Sequence, residues 1–138
     1  MKVFLEPGAI APTRAHGTDA GLDLYCAEDT CVYANDSAVF DTGVHIQLPE
    51  NTYGKLESKS GLNVNHGIVS CGGTIDQGYT GSIKVKLYNL TDRGYTFHRG
   101  EKICQLIVQP CLYVPVEIAT EWSNDTERGD KGFGSTGV

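Results

Sequence analysis

The chain has 138 residues, of which 17 are Gly and 5 Pro, and that length suits one domain able to bury a full hydrophobic core. Hydrophobic residues make up 40% and charged residues 20%, so the chain is not of the disordered class, and its glycine and proline content speaks against a helical bundle or a two-domain Rossmann enzyme. A net charge of −6 argues against a phosphate-backbone binder, and no apolar run approaches the ~20 residues of a membrane span.

The N-terminal Met1-Lys2-Val3-Phe4-Leu5-Glu6-Pro7 predicts a first strand over 2–5. It is charged too early for a signal peptide, so a cytoplasmic location, or an intracellular one in a virus-infected host, is expected. Short strands are predicted over 21–25, 30–33 and 38–41. Val44, Ile46 and Leu48 alternate with His45 and Gln47, the pattern of a half-buried strand. A strand over 52–58 precedes Gly61 to Asn65, which suits one helical turn, and 68–71 is extended again. Ile83, Val85 and Leu87 then share one face while Lys84 and Lys86 take the other. Strands over 95–98, 102–109 and 112–118 complete the set. Gly, Pro, Asn or Asp mostly separate them, and many short strands at this spacing suggest a sandwich, jelly roll or small barrel.

Ile103 to Val108 is apolar on both faces. It is either the central strand of a sandwich or a strand whose second face meets another subunit. Gln105 inside it needs partners, from neighbouring backbone or from a ligand. Trp122 is expected to pack near the end of the β-domain. Beyond it almost nothing can join a core, which predicts a mobile tail. Cys26, Cys31, Cys71, Cys104 and Cys111 contain no C-x-x-C pair and are expected to be reduced and mostly buried. His16, His45, His66 and His98 are scattered without metal-ligand spacing.

Five segments have chemical content. In Ala20-Gly21-Leu22-Asp23-Leu24 an acid sits inside an apolar strand. Lys59-Ser60-Gly61-Leu62 puts a cation, a hydroxyl and a glycine before a possible helix start, which suits an anion. Gly73-Thr74-Ile75-Asp76-Gln77-Gly78-Tyr79-Thr80-Gly81 is a glycine-rich hairpin with Asp76 and Tyr79 near its bend. Arg99-Gly100-Glu101-Lys102 precedes the two-faced run. Gly132-Phe133-Gly134-Ser135-Thr136-Gly137 fits G-x-G-x-x-G but lacks the strand and helix of a dinucleotide fingerprint. Its contents still suit phosphate: free backbone N–H groups, the Ser135 and Thr136 hydroxyls, and the nearby Arg128 fork. Phe133 can stack on a base. Taken singly, each of the first four also reads as an ordinary turn, cap or polar loop.

In this order the five segments resemble the five motifs of the trimeric dUTP pyrophosphatases (dUTPases), from about residue 3 to the C-terminus. The resemblance implies an all-β, jelly-roll-like barrel assembled as a homotrimer, with a barrel domain over 1–126 and a tail over 127–138 that closes over a shared site. It implies hydrolysis of dUTP to dUMP and pyrophosphate with Mg2+, keeping uracil out of DNA and supplying dUMP. Asp76 would be the general base toward a water attacking the α-phosphate. Tyr79 would pack under the deoxyribose, and the backbone around Gly73 and Ile75 would meet the uracil edge. Lys59, Ser60, Gly61 and Gln105 would serve the phosphates. Arg128, Ser135 and Thr136 would take the γ-phosphate and Phe133 would cover the uracil, with Gly134 of the same tail also binding substrate. Mg2+ would sit mainly on the three phosphates, with Asp23 contributing through structure or water rather than as a direct ligand.

Two positions depart from the family pattern. Lys59 stands where Arg is usual and lacks the planar fork. Gly78 stands where an acid is common. No nucleic-acid or membrane partner is implied. Two other readings remain open at this point: a regulatory module on the same barrel with a protein partner, and a dCTP deaminase-like enzyme.

Overall fold

A computed structural model describes residues 1–71, 73–123, 125–127 and 129–130. Among them lie β1 (Lys2–Leu5), β2 (Leu22–Tyr25), β3 (Thr30–Val32), β4 (Ser37–Asp41), β5 (Val44–Gln47) and β6 (Thr52–Glu57). Then come α1 (Ser60–His66), β7 (Ile68–Ser70), β8 (Thr74–Ile75), β9 (Lys84–Asn89), β10 (Tyr95–Phe97) and β11 (Lys102–Pro110). The expected strands are thus present with one exception, and the expected helical turn is a seven-residue helix. No helix among the described residues is long and apolar enough to cross a membrane.

All ladders are antiparallel. The largest sheet has the order β2-β11-β6-β8 and the next β4-β9-β7, with β1-β5 and β10-β3 as two-stranded pairs. This is a jelly-roll-like arrangement rather than one closed ring of strands. Alternation decides which side chains go inward. On β9, Val85 and Leu87 are buried while Lys84 and Lys86 are exposed. Leu24, Leu56, Cys104 and Leu106 from the large sheet join Phe40, Ile68, Val85, Leu87 and Phe97 in one core. Each large apolar side chain so buried contributes about 1.5–3 kcal/mol. Phe40 and Phe97 meet edge-on at 5.3 Å, a favoured aromatic geometry.

The two-faced apolar run resolves into a bulge and a central strand. The β11–β2 register shifts between Lys102 and Cys104, so Ile103 and Cys104 both turn inward. From there β11 runs between β2 and β6. Burial raises the Cys104 thiol to about 11, despite hydrogen bonds that act the other way.

The exception is 112–118, where no strand forms. Leu112, Val116 and Ile118 alternate as a strand would but are 85%, 92% and 90% exposed. The Cys111 amide still reaches the Asn51 carbonyl at 2.8 Å. Beyond it no strand edge runs alongside among the described residues, and Pro115 has no N–H to offer a ladder. For the same reason Trp122 is exposed rather than packed against the β-domain. All five cysteines are free, but only Cys26 and Cys104 are buried, fewer than expected.

Candidate functional site

The large sheet carries one half of the predicted site. Gln105 on β11 stands opposite Asp23 on β2 and opposite Glu57 on β6, so the three side chains leave the same face in one row. The Asp23 backbone also exchanges hydrogen bonds with Thr13, at 2.7 and 3.3 Å. Its carboxylate is buried and takes two ammonium groups, Lys59 Nζ at 2.5 Å and Lys102 Nζ at 2.7 Å. Burial alone would push this carboxyl up. The hydrogen bonds and charges of Lys102 and Lys59 outweigh burial and hold it below its ordinary value. Glu57 in the same row is matched by Lys55, so the two ammoniums on the one Asp23 carboxylate leave one net positive charge among these five side chains.

The segment after β6 is fixed by hydrogen bonds across the core edge. The Ser70 amide donates to Ser58 Oγ at 2.8 Å, and Gln105 Nε2 donates to the Ser58 carbonyl at 3.2 Å. Gln105 itself packs over Gly21, where a Cβ would stand 2.9 Å from the Gln105 Cβ. Lys59 therefore leads into α1 from a held position, and Ser60 and Gly61 open the helix on the exposed side.

The hairpin carries the other half. It hangs from β8, which pairs with β6 through Gly54 and Ile75. Gly73 has φ +120, and a Cβ there would lie 2.7 Å from Leu56 Cδ1. Only glycine lets the chain cross so close to β6 while its carbonyl accepts from the Leu56 amide at 2.9 Å. Ile75 is buried, so only its backbone is available to a ligand. The Tyr79 amide closes the turn on the Asp76 carbonyl at 3.0 Å. The Tyr79 hydroxyl donates to the Ser82 carbonyl at 2.9 Å, laying the ring over Gly81, where any Cβ would collide with the phenol. Asp76 is exposed at the bend, and Tyr79 is 42% exposed beside it.

Some members of the site carry no distinctive signal in sequence. Gln77 Oε1 accepts from the Asn51 amide at 2.8 Å and from the Tyr113 hydroxyl at 3.2 Å, which ties the residue after Asp76 to two other segments. Lys102 reads as part of a plain turn until the fold sets it against Asp23. A single buried acid within reach of two lysines is a signal that only the β2–β11 register makes visible. Arg128, Phe133, Gly134, Ser135 and Thr136 lie outside the described residues.

Comparison with known proteins decides the family. The dUTPase family model matches residues 8–137. The deoxyuridine 5'-triphosphate nucleotidohydrolase of Clostridium kluyveri is 44% identical over 132 residues, covering 94% of this chain and 92% of the relative. That of Candida albicans is 38% identical over 99% of this chain and 87% of its own length. The chain belongs to the dUTPase family. The dUTPase of Staphylococcus bacteriophage 80alpha with dUPNHPP superposes with a TM-score of 0.92 at 31% identity, over 99% of this chain and 98% of that one. A variant dUTPase of Staphylococcus aureus phage phi11, described with a structural Mg(II) ion, matches with a TM-score of 0.80 at 28% identity, over 88% of this chain and 97% of that one.

As a dUTPase, the chain has an uneven supply of metal donors. No group of three or more His, Cys, Asp or Glu able to hold a metal occurs among the described residues. Both oxygens of Asp23 are already engaged by ammonium groups. In this arrangement Asp23 serves as the shared ion-pair partner of Lys59 and Lys102.

Proposed function

We propose that this dUTP diphosphatase hydrolyses dUTP to dUMP and pyrophosphate by attack of water on the α-phosphate, with Asp76 as general base. The observation that carries the reading is the hairpin. It offers an exposed carboxylate on a closed turn, next to a half-exposed phenol and anchored through Gln77. Asp76 takes the proton of the attacking water and contacts the sugar hydroxyl. Tyr79 supports the deoxyribose and excludes a 2′-hydroxyl. The backbone about Gly73 and Ile75 meets the uracil edge. Ser60, Gly61 and Gln105 hold phosphate oxygens, and the net positive charge around Asp23, Lys59 and Lys102 favours an anion nearby. Mg2+, held by the three phosphates and water, neutralises their charge when bound.

We further assign the working unit as a homotrimer, with residues 127–138 as a tail separate from the domain over 1–126. Leu112, Val114, Val116, Ile118 and Trp122 expose a long apolar arm that none of the described residues covers, which favours a neighbouring subunit as its cover. Arg128, Ser135 and Thr136 then take the γ-phosphate, Phe133 covers the base, and Gly134 also binds substrate. A substrate panel tests the reading. Pyrophosphate release with Mg2+ is expected to be much faster from dUTP than from UTP, dCTP or dTTP, and absence of dUTP turnover rejects it.

A further inference from the structure

His45 lies on β5 opposite Phe4 of β1, with ring centroids 5.5 Å apart. Its side chain is 23% exposed, and each ring nitrogen has one close partner. Nδ1 stands 2.8 Å from the Thr80 carbonyl oxygen, and Nε2 stands 2.8 Å from Glu6 Oε1. A carbonyl and an ionised carboxylate only accept, whereas a neutral imidazole has one N–H. Both contacts are therefore hydrogen bonds only when the ring carries two protons. In the neutral ring, whichever nitrogen loses its proton points a lone pair at an oxygen. Thr80 sits between Tyr79 and Gly81, inside the hairpin that carries Asp76.

We propose that His45, as an imidazolium, is a positioning residue that fastens the nucleotide hairpin to the segment following β1, and that losing its proton loosens the hairpin. The proposal rests on the reading that this hairpin binds the nucleotide. The charges around the ring fit it. The Thr80 carbonyl first, then Glu6, raise the imidazole above its ordinary value, against a smaller opposing effect of burial, and Asp41 at the end of β4 adds in the same direction. Lys2, on β1, is the cation that shares the recess with His45. Because the folded value is raised, the bridge is complete below it and is lost as pH rises through it. Nothing in the spacing of His45 marks this role, since the bridge joins residues 39 and 35 positions away.

The test uses the full chain without nucleotide. Ring NMR should show His45 titrating above the ordinary imidazole value of about 6.5. Glu6→Gln, a change at a half-exposed position, should lower that midpoint. The Tyr79 amide, bonded to the Asp76 carbonyl, reports closure of the hairpin. Corrected for intrinsic exchange, its hydrogen exchange should quicken about two- to tenfold across the His45 midpoint, as for loss of one hydrogen bond. In His45→Gln this step should disappear. With dUTP, KM should rise by a similar factor over the same pH range while kcat changes little. A midpoint at or below the ordinary value, or Tyr79 exchange and KM that ignore the titration, would overturn the proposal. A chain that shows the titration and the exchange step but no dUTP turnover refutes the functional reading and leaves the brace standing.

Discussion

The two halves of the site are held by different means. Asp23, Gln105 and Lys59 stand on or beside adjoining strands, and each is fixed by ladder register, a buried ion pair or a backbone carbonyl. The hairpin from Asp76 to Gly81 has two paired residues at its root and is otherwise held by single side-chain hydrogen bonds: His45 reaches in to the Thr80 carbonyl, while Gln77 and Tyr79 reach out to the Asn51 amide and the Ser82 carbonyl. A platform of the first kind moves only when the sheet is disturbed. A hairpin of the second kind can be adjusted one hydrogen bond at a time. Changes at the platform should therefore appear in stability, and changes at the hairpin in turnover, KM and choice of nucleotide.

The largest effect is expected where the hairpin is proposed to carry the chemistry. Asp76→Asn keeps the shape and removes the base, so kcat should fall about 10²–10⁴-fold with dUTP binding largely retained. Rapid-quench turnover and calorimetric binding would check both parts. Near-normal turnover would remove Asp76 from its assigned role. On the platform, Asp23→Asn leaves Lys59 and Lys102 facing one neutral amide. Their outer parts reach solvent, so the expected cost lies below that of a fully buried pair, at about 2–3 kcal/mol, read from denaturant melts. The Asp23 carboxyl is held below its unfolded value, so its contribution is present above that value and is lost as pH falls through the folded one. Wild type should thus lose stability steeply in acid, and the variant less so. Equal acid sensitivity would show that Asp23 is not the group responsible.

These contrasts also explain what could be read from sequence. The strands were legible because inside and outside alternate at Val44, Ile46 and Leu48 and at Ile83, Val85 and Leu87, where one face meets the core. The arm at 112–118 has the same alternation and is not a strand, because a strand also needs an edge to pair with. Trp122 misleads for the same reason, since size alone predicts burial only where something stands ready to cover it. Asp76, Tyr79 and the glycines around them were legible as a motif because they are close in sequence. The pairs Asp23–Lys102, Gln77–Tyr113 and His45–Glu6 were not, because each joins segments that only the topology brings together.

Within the hairpin, Tyr79→Ala should separate sugar choice from chemistry. The ring lies across Gly81 with its hydroxyl on the Ser82 carbonyl, so removing it opens the space where the proposed reading sets the sugar. The ratio of kcat/KM for UTP to that for dUTP should rise about tenfold or more, on the scale of a lost packing contact. An unchanged ratio would show that Tyr79 does not exclude the 2′-hydroxyl.

The smallest effect tests where the arm meets the hairpin. Tyr113→Phe removes the hydroxyl that donates to Gln77 Oε1 at 3.2 Å and approaches the Thr52 carbonyl at 3.4 Å. Gln77 keeps its bond from the Asn51 amide, so the turn stays anchored and only one of two donors is lost. Tyr113 is 61% exposed, which allows water to replace the hydroxyl. A two- to threefold rise in KM for dUTP, with unchanged kcat, is therefore about the expected size. A tenfold or larger rise would mean that the arm controls the hairpin, and the hairpin would then have to be grouped with the firmly held platform. No change at all would mean that Tyr113 leaves Gln77 in solution, and that the Asn51 amide alone holds the residue next to Asp76, the proposed general base.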